Sequence, residues 1–165
     1  MSNTPITYQY TDRYGPVTSA LAEATGNWLK DIGLNPVAEI QDYASKYITQ
    51  TIAGNFHGIT YMNTPGYSEV GLFVNRCFGD DPWNTGRVKD PAITSLLQKQ
   101  KVELNIDQRS ALIRQIQLIN AQKMYYVPTQ TAAGWTAYRP EIQGIARTRG
   151  YAIQAEVIPF MWMHA

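Results

Sequence analysis

NWLKDIGLNPVAEIQDYASKYITQTIAGNF, residues 27–56, closes one helical pattern, crosses a short β-prone run and opens a second helical pattern. Gly33 suits the left-handed stop of the first helix. LNPVAEI (34–40) reads as a strand. Asp42 stands where an N-cap takes up the free amides of a helix with an inner face of Ala44, Ile48 and Ile52, ending at Gly54. Upstream, ITYQYT (6–11) alternates apolar and polar residues and is rich in β-formers, the pattern of a half-buried strand. Between these strands Val17, Leu21, Ala24, Trp28 and Ile32 share one helical face, with Pro16 placed for a first turn. Downstream, GITYM (58–62) is a third short strand. Strand, helix, strand, helix, strand is the rhythm of an α/β unit with right-handed crossovers. The predicted fold class is therefore α/β, a mixed sheet with flanking helices.

After Met62 the chain runs through Asn63, Thr64, Pro65, Gly66, Tyr67 and Ser68, most of them turn formers. NRCFGDDPWNTGR (75–87) continues as a Gly/Pro/Asn/Asp-rich surface segment. Asp90 with Pro91 opens a helical stretch, and Asp107 opens another in which Leu112, Ile116 and Ile119 share a face. MYYVPTQTAAGWTAY (124–138) is β-rich and aromatic. The strand-like segment 151–165 carries Phe160, Trp162 and Met163, which need a surface to cover them. Helical spacing predicts a single core built from Val17, Leu21, Trp28, Ile48, Ile52, Leu96, Leu112 and Ile116. No internal repeat or low-complexity segment interrupts the chain.

The 165 residues are 44% hydrophobic and 16% charged, enough to bury a sizeable core as one globular unit. Fourteen Lys and Arg against 13 Asp and Glu give a net charge of +1, which supplies no excess to draw nucleic acid or an anionic membrane surface. Arg147 and Arg149 form too small a basic cluster to alter that. The first fifteen residues lack the basic start and apolar run of a signal peptide, and no stretch is long enough to span a bilayer.

Catalytic signals are sparse. Cys77 is the sole cysteine, so neither an intrachain disulfide nor a cysteine zinc site is available, and nothing beside it marks a nucleophile. His57 and His164 each lack a neighbouring second ligand, and the adjacent Asp80 and Asp81 read as turn residues rather than a working carboxylate pair. No Gly-rich phosphate cradle is present. These residues predict a non-enzymatic protein that needs no cofactor.

FHGITYMNTPGYSEVGLFV (56–74) resembles a segment in the C-terminal lobe of family 5 extracytoplasmic solute-binding proteins, the peptide- and nickel-type receptors of ABC importers. Phe56, Tyr67, Glu69 and Phe73 stand in register with that segment. Residues 27–56 resemble the family's preceding helix, strand and helix, and DPAITSLLQKQ and DQRSALIRQIQ its paired helices. Arg139, Pro140, Ile142 and Gly144 resemble its late turn. The resemblance implies one lobe of a two-lobe periplasmic-binding-protein fold, with 1–138 as the α/β lobe and 139–165 as a return segment toward a missing N-terminal lobe. It also implies a periplasmic or extracytoplasmic setting, an ABC permease as partner, and a small solute or peptide as ligand. The chain is then expected to be a fragment or half of a longer receptor.

By register, the family's ligand-holding Trp and Asp fall at Asn63 and Gly66, so the charge-assisted bond to a peptide amine, about 1.5–3 kcal/mol, has no counterpart. What remains for a neutral or zwitterionic solute is amide, hydroxyl and phenol chemistry beside aromatic faces. The expected ligand-binding residues are Tyr61, Asn63, Thr64, Tyr67 and Trp135. The alternative is a free-standing, non-catalytic α/β module that pairs with another chain or a copy of itself through its apolar tail.

Overall fold

A computed structural model describes residues 4–64, 67, 69–129, 137–145 and 159–163. Strand β1 (Pro5–Tyr10) is central in a three-stranded parallel sheet of order β2-β1-β3, with β2 at Asn35–Ile40 and β3 at Ile59–Thr60. The register aligns Tyr8 with Ala38 and Gln9 with Glu39 on one side, and Tyr8 with Ile59 on the other. The strand is not half-buried, as its alternation suggests. Tyr8, Gln9, Tyr10 and Thr11 are all buried. A central parallel strand is covered on both faces, and here one face is apolar and the other polar.

The apolar face receives α1 (Pro16–Asp31). The residues that approach the sheet are small: Ala22 and Gly26 are buried, and a Cβ on Gly26 would stand 3.3 Å from Tyr8 Cε1. Close approach lets the Tyr8 hydroxyl donate to the Ala22 carbonyl at 2.8 Å. The predicted face is consequently rotated. Val17 (71% exposed) and Trp28 (59%) point to solvent, and Ala22, Gly26 and the partly buried Leu29 replace them. A rule that ranks side chains by size misses a contact made by their absence.

The polar face carries Gln9, whose Nε2 donates to Glu39 at 2.9 Å; Lys46 pairs with the same carboxylate, and Thr51 donates to Gln41 at 2.6 Å. Lys46 and Thr51 belong to a π-helix, Tyr43–Ile52, capped as expected by Asp42, which accepts from the Ser45 amide at 2.8 Å. Its wider turn is visible where the Tyr47 amide donates to the Asp42 carbonyl. That geometry buries Tyr47, Thr51 and Ile52 and leaves Ala44 exposed, whereas a 3.6-residue period selects Ala44, Ile48 and Ile52.

The second half is helical. The 75–87 surface segment proves to begin inside a helix, α2 (Val70–Phe78), followed by α3 (Pro91–Val102) and α4 (Ile106–Lys123). Glu69 caps α2 and Asp90 caps α3. The cap of α4 is Asn105, which accepts from the amides of Asp107 and Gln108; Asp107 sits in the first turn instead. The single core predicted from spacing is two clusters: Val74, Phe78, Val88, Ile93, Leu97, Ile113 and Ile116 among the helices, and Tyr8, Tyr10 and Ala22 against the sheet. Leu96 and Leu112 are only partly buried. Thr85 joins the halves by donating to the Ile52 carbonyl at 3.0 Å, and Arg87 donates to the Ala53 carbonyl. Later, β4 (Ile142–Gln143) pairs antiparallel with β5 (Trp162–Met163). Phe160, Trp162 and Met163 are exposed. Residues 125–129 form no strand, and 130–136 lie outside the described residues.

Candidate functional site

β1 and β3 are parallel neighbours, β1 leading through α1 to β2 and β3 leading to α2, so their carboxyl ends lie side by side, and loops at the carboxyl ends of such strands are where open α/β sheets commonly take ligands. The loop after β1 carries Tyr14, and beyond β3 come Tyr61, Met62, Asn63 and Thr64 and then Tyr67. Tyr47, at the inner face of the π-helix, connects them: its hydroxyl donates to the Tyr61 carbonyl at 2.9 Å, and its ring stands 6.4 Å edge-on from Tyr14 and 6.2 Å, stacked, from Tyr43. Tyr14 and Tyr43 meet edge-to-face at 5.6 Å. Burial, then the Tyr43 phenol, pushes the Tyr14 hydroxyl up to about 12, and burial also raises Tyr47. The phenols stay protonated and can donate as well as accept at neutral pH.

Tyr61 extends β3 by one bond, its amide donating to the Gln9 carbonyl at 2.8 Å, and its side chain is half-buried. Asn63 and Thr64 are exposed, while Pro65, Gly66 and Ser68 lie outside the described residues. Tyr67 is half-buried, 5.9 Å from the Phe73 ring, and its hydroxyl accepts from Arg76 Nη1. The Arg76 guanidinium lies 4.3 Å from the Trp83 ring centroid and is close enough to Tyr14 to favour its ionised form. Tyr67 thus meets Phe73 and Arg76, whereas Tyr61 is joined to Tyr47 through its backbone carbonyl and packs its side chain against the Tyr8 and Tyr10 cluster. Trp135, the remaining expected residue, falls outside the described residues.

The downstream end of the loop is anchored by Glu69. Its carboxylate accepts from the Gly71 and Leu72 amides at 2.8 and 2.9 Å and pairs with Arg109 at 2.6 Å, while Arg109 also donates to Gln100. Burial of the carboxyl opposes ionisation, but the two amides and Arg109 outweigh it and hold its pKa below the ordinary range. The absence of a Cβ on Gly71 lets this network close over the helix start, since a methyl there would displace the ends of the Arg109, Gln100 and Glu69 side chains.

Sequence reasoning passed over Tyr14, Tyr43, Tyr47, Arg76 and Trp83. The available signal was positional: Tyr14 lies just beyond β1, and Tyr43 and Tyr47 stand on the helix that follows β2. Elsewhere, burial pushes the Cys77 thiol up to about 11, so it is not a thiolate at neutral pH. Asp81 is used in a turn, accepting from the Trp83 amide at 2.8 Å. Among the described residues no three His, Cys, Asp or Glu side chains gather to hold a metal, and no helix is long and apolar enough to cross a membrane. A separate cleft of about 250 Å³ lies between α1 and the sheet, lined by Tyr8, Tyr10, Glu23, Asn27, Lys30 and Pro36 among others.

No protein-family model and no curated protein matches the chain. Among solved structures the chain is similar to an unliganded, open form of MppA, a periplasmic murein tripeptide binding protein, with a TM-score of 0.61 and 22% identity. The match covers 73% of this chain and 23% of MppA, so the chain spans about a quarter of that protein's length. At that identity the likeness concerns the fold. This chain has a mixed α/β fold, a small parallel sheet with helices, similar to part of a solute-binding protein.

Proposed function

We propose that the chain is the C-terminal lobe of a family 5 type solute receptor that takes an oligopeptide or similar small solute for an ABC importer outside the cytoplasm. In this reading 1–138 form the lobe and 139–165 return toward a second lobe. Tyr61, Asn63, Thr64, Tyr67 and Trp135 contact the ligand. The observation that carries the reading is the gathering of loop phenols and exposed Asn63 and Thr64 beyond β1 and β3, in a fold shared with a periplasmic tripeptide-binding protein. The mechanism is closure around the solute: phenol, amide and hydroxyl groups replace the solute's water, aromatic faces cover it, and no bond is made or broken.

Native mass spectrometry of the chain against an equimolar mixture of short peptides and sugars tests this. One-to-one peptide adducts at millimolar concentration are expected. Sugar adducts alone, or no adduct, would contradict it. The exposed Phe160, Trp162 and Met163 favour a second reading, a non-catalytic module that pairs with another chain or itself. That reading predicts a dimer peak that is indifferent to peptide.

A further inference from the structure

Arg76 is one of several described cations without an ion pair, and it is set apart by the groups that hold it. Lys46 pairs with Glu39 and Arg109 with Glu69, but among the described residues no carboxylate stands within ion-pair distance of Arg76. Its guanidinium is held instead by neutral groups: the Trp83 ring at 4.3 Å, the Tyr67 ring at 5.7 Å, and the Tyr67 hydroxyl, to which Nη1 donates. Arg76 is fixed on α2, and Trp83 on a turn pinned by Asp81. The stack therefore orients the guanidinium plane while using one of its five N–H donors on Tyr67. A planar fork that is oriented, half-buried and not neutralised matches the geometry of a carboxylate, which it can bind through two parallel bonds. Tyr67 belongs to the loop assigned to the ligand, so the fork stands at that site.

We propose that Arg76 is the carboxylate anchor of this site, and that the solute class is one bearing a free carboxylate beside an otherwise neutral or zwitterionic body. The inference rests on the solute-binding reading above. Trialanine and its C-terminal amide share the same amine and side chains and differ at the carboxylate, so their affinities for the full chain, followed by NMR titration, isolate the group. The wild-type chain is expected to prefer trialanine at least tenfold, and Arg76→Gln to bring the two ligands within about twofold by weakening trialanine alone. Arg76→Lys keeps the charge and loses the fork, and is expected to retain less than a third of the preference; it serves equally if Arg76→Gln does not fold. Equal wild-type affinity for both ligands, or a preference that survives Arg76→Gln, would overturn the anchor and leave the solute-binding reading standing. Binding of neither ligand at millimolar concentration would overturn both.

Discussion

The Tyr47 phenol holds two loops together, because its hydroxyl bonds the strand end at Tyr61 while its ring packs on Tyr14 and Tyr43. Tyr8 performs a similar task on the opposite face, locking α1 through the Ala22 carbonyl. Both are buried, and burial raises the pKa of each as it does that of Tyr14. In the unfolded chain these phenols ionise near pH 10, so above that pH the unfolded state binds fewer protons than the folded one. Their contribution is fully present below pH 10 and is lost as pH rises. Guanidinium midpoints should therefore be level from pH 7 to 9 and fall above about 10. Tyr47→Phe should reduce that alkaline slope at the cost of the bond to Tyr61, about 0.5–1.5 kcal/mol. A flat profile to pH 11 would show that the phenols ionise freely.

At the scale of elements, the strand–helix–strand rhythm and the caps Asp42 and Asp90 were legible because they depend on local chemistry. The faces were less so. The alternation of ITYQYT identifies a strand but does not reveal that Gln9 and Thr11 are covered too, since that depends on the π-helix bringing Lys46 and Thr51 to the polar side of the sheet. The Val17 and Trp28 face looked like core by hydrophobicity, yet the sheet chose the small face at Ala22 and Gly26. α2 was hidden by its Gly71 and by flanking turn residues, although Glu69 marks its start. In the helical half, Ile116 is fully buried between α3 and α4 neighbours while Val17 faces water. Ile116→Ala should cost about 2–5 kcal/mol, and Val17→Ala should stay within about 0.5 kcal/mol. Urea midpoints of the two variants check this, and equal losses would mean the α1 face is wrongly assigned.

For the whole molecule, apolar surface remains on α1 at Val17, Trp28 and Ile32, and again at Phe160, Trp162 and Met163. Sedimentation of the 165-residue chain should show reversible self-association, reduced by Trp162→Ser; a clean monomer at millimolar concentration would contradict that. Affinity should also be modest. A micromolar receptor has about −8.2 kcal/mol to distribute, and a lobe supplying half of it retains about −4.1, a millimolar constant. The sequence announced the loop through its family resemblance but not the aromatic run behind it, because Tyr14, Tyr47, Tyr67 and Arg76 are brought together only by the order of the strands and the packing of α2. The most direct test of a ligand site at the ends of β1 and β3 is a ¹⁵N chemical-shift map of the chain titrated with trialanine. The account predicts saturable shifts at Tyr61, Asn63, Thr64 and Tyr67 and at the Trp83 indole; shifts confined to Glu23, Asn27 and Lys30 in the α1 cleft, or none at all, would contradict it.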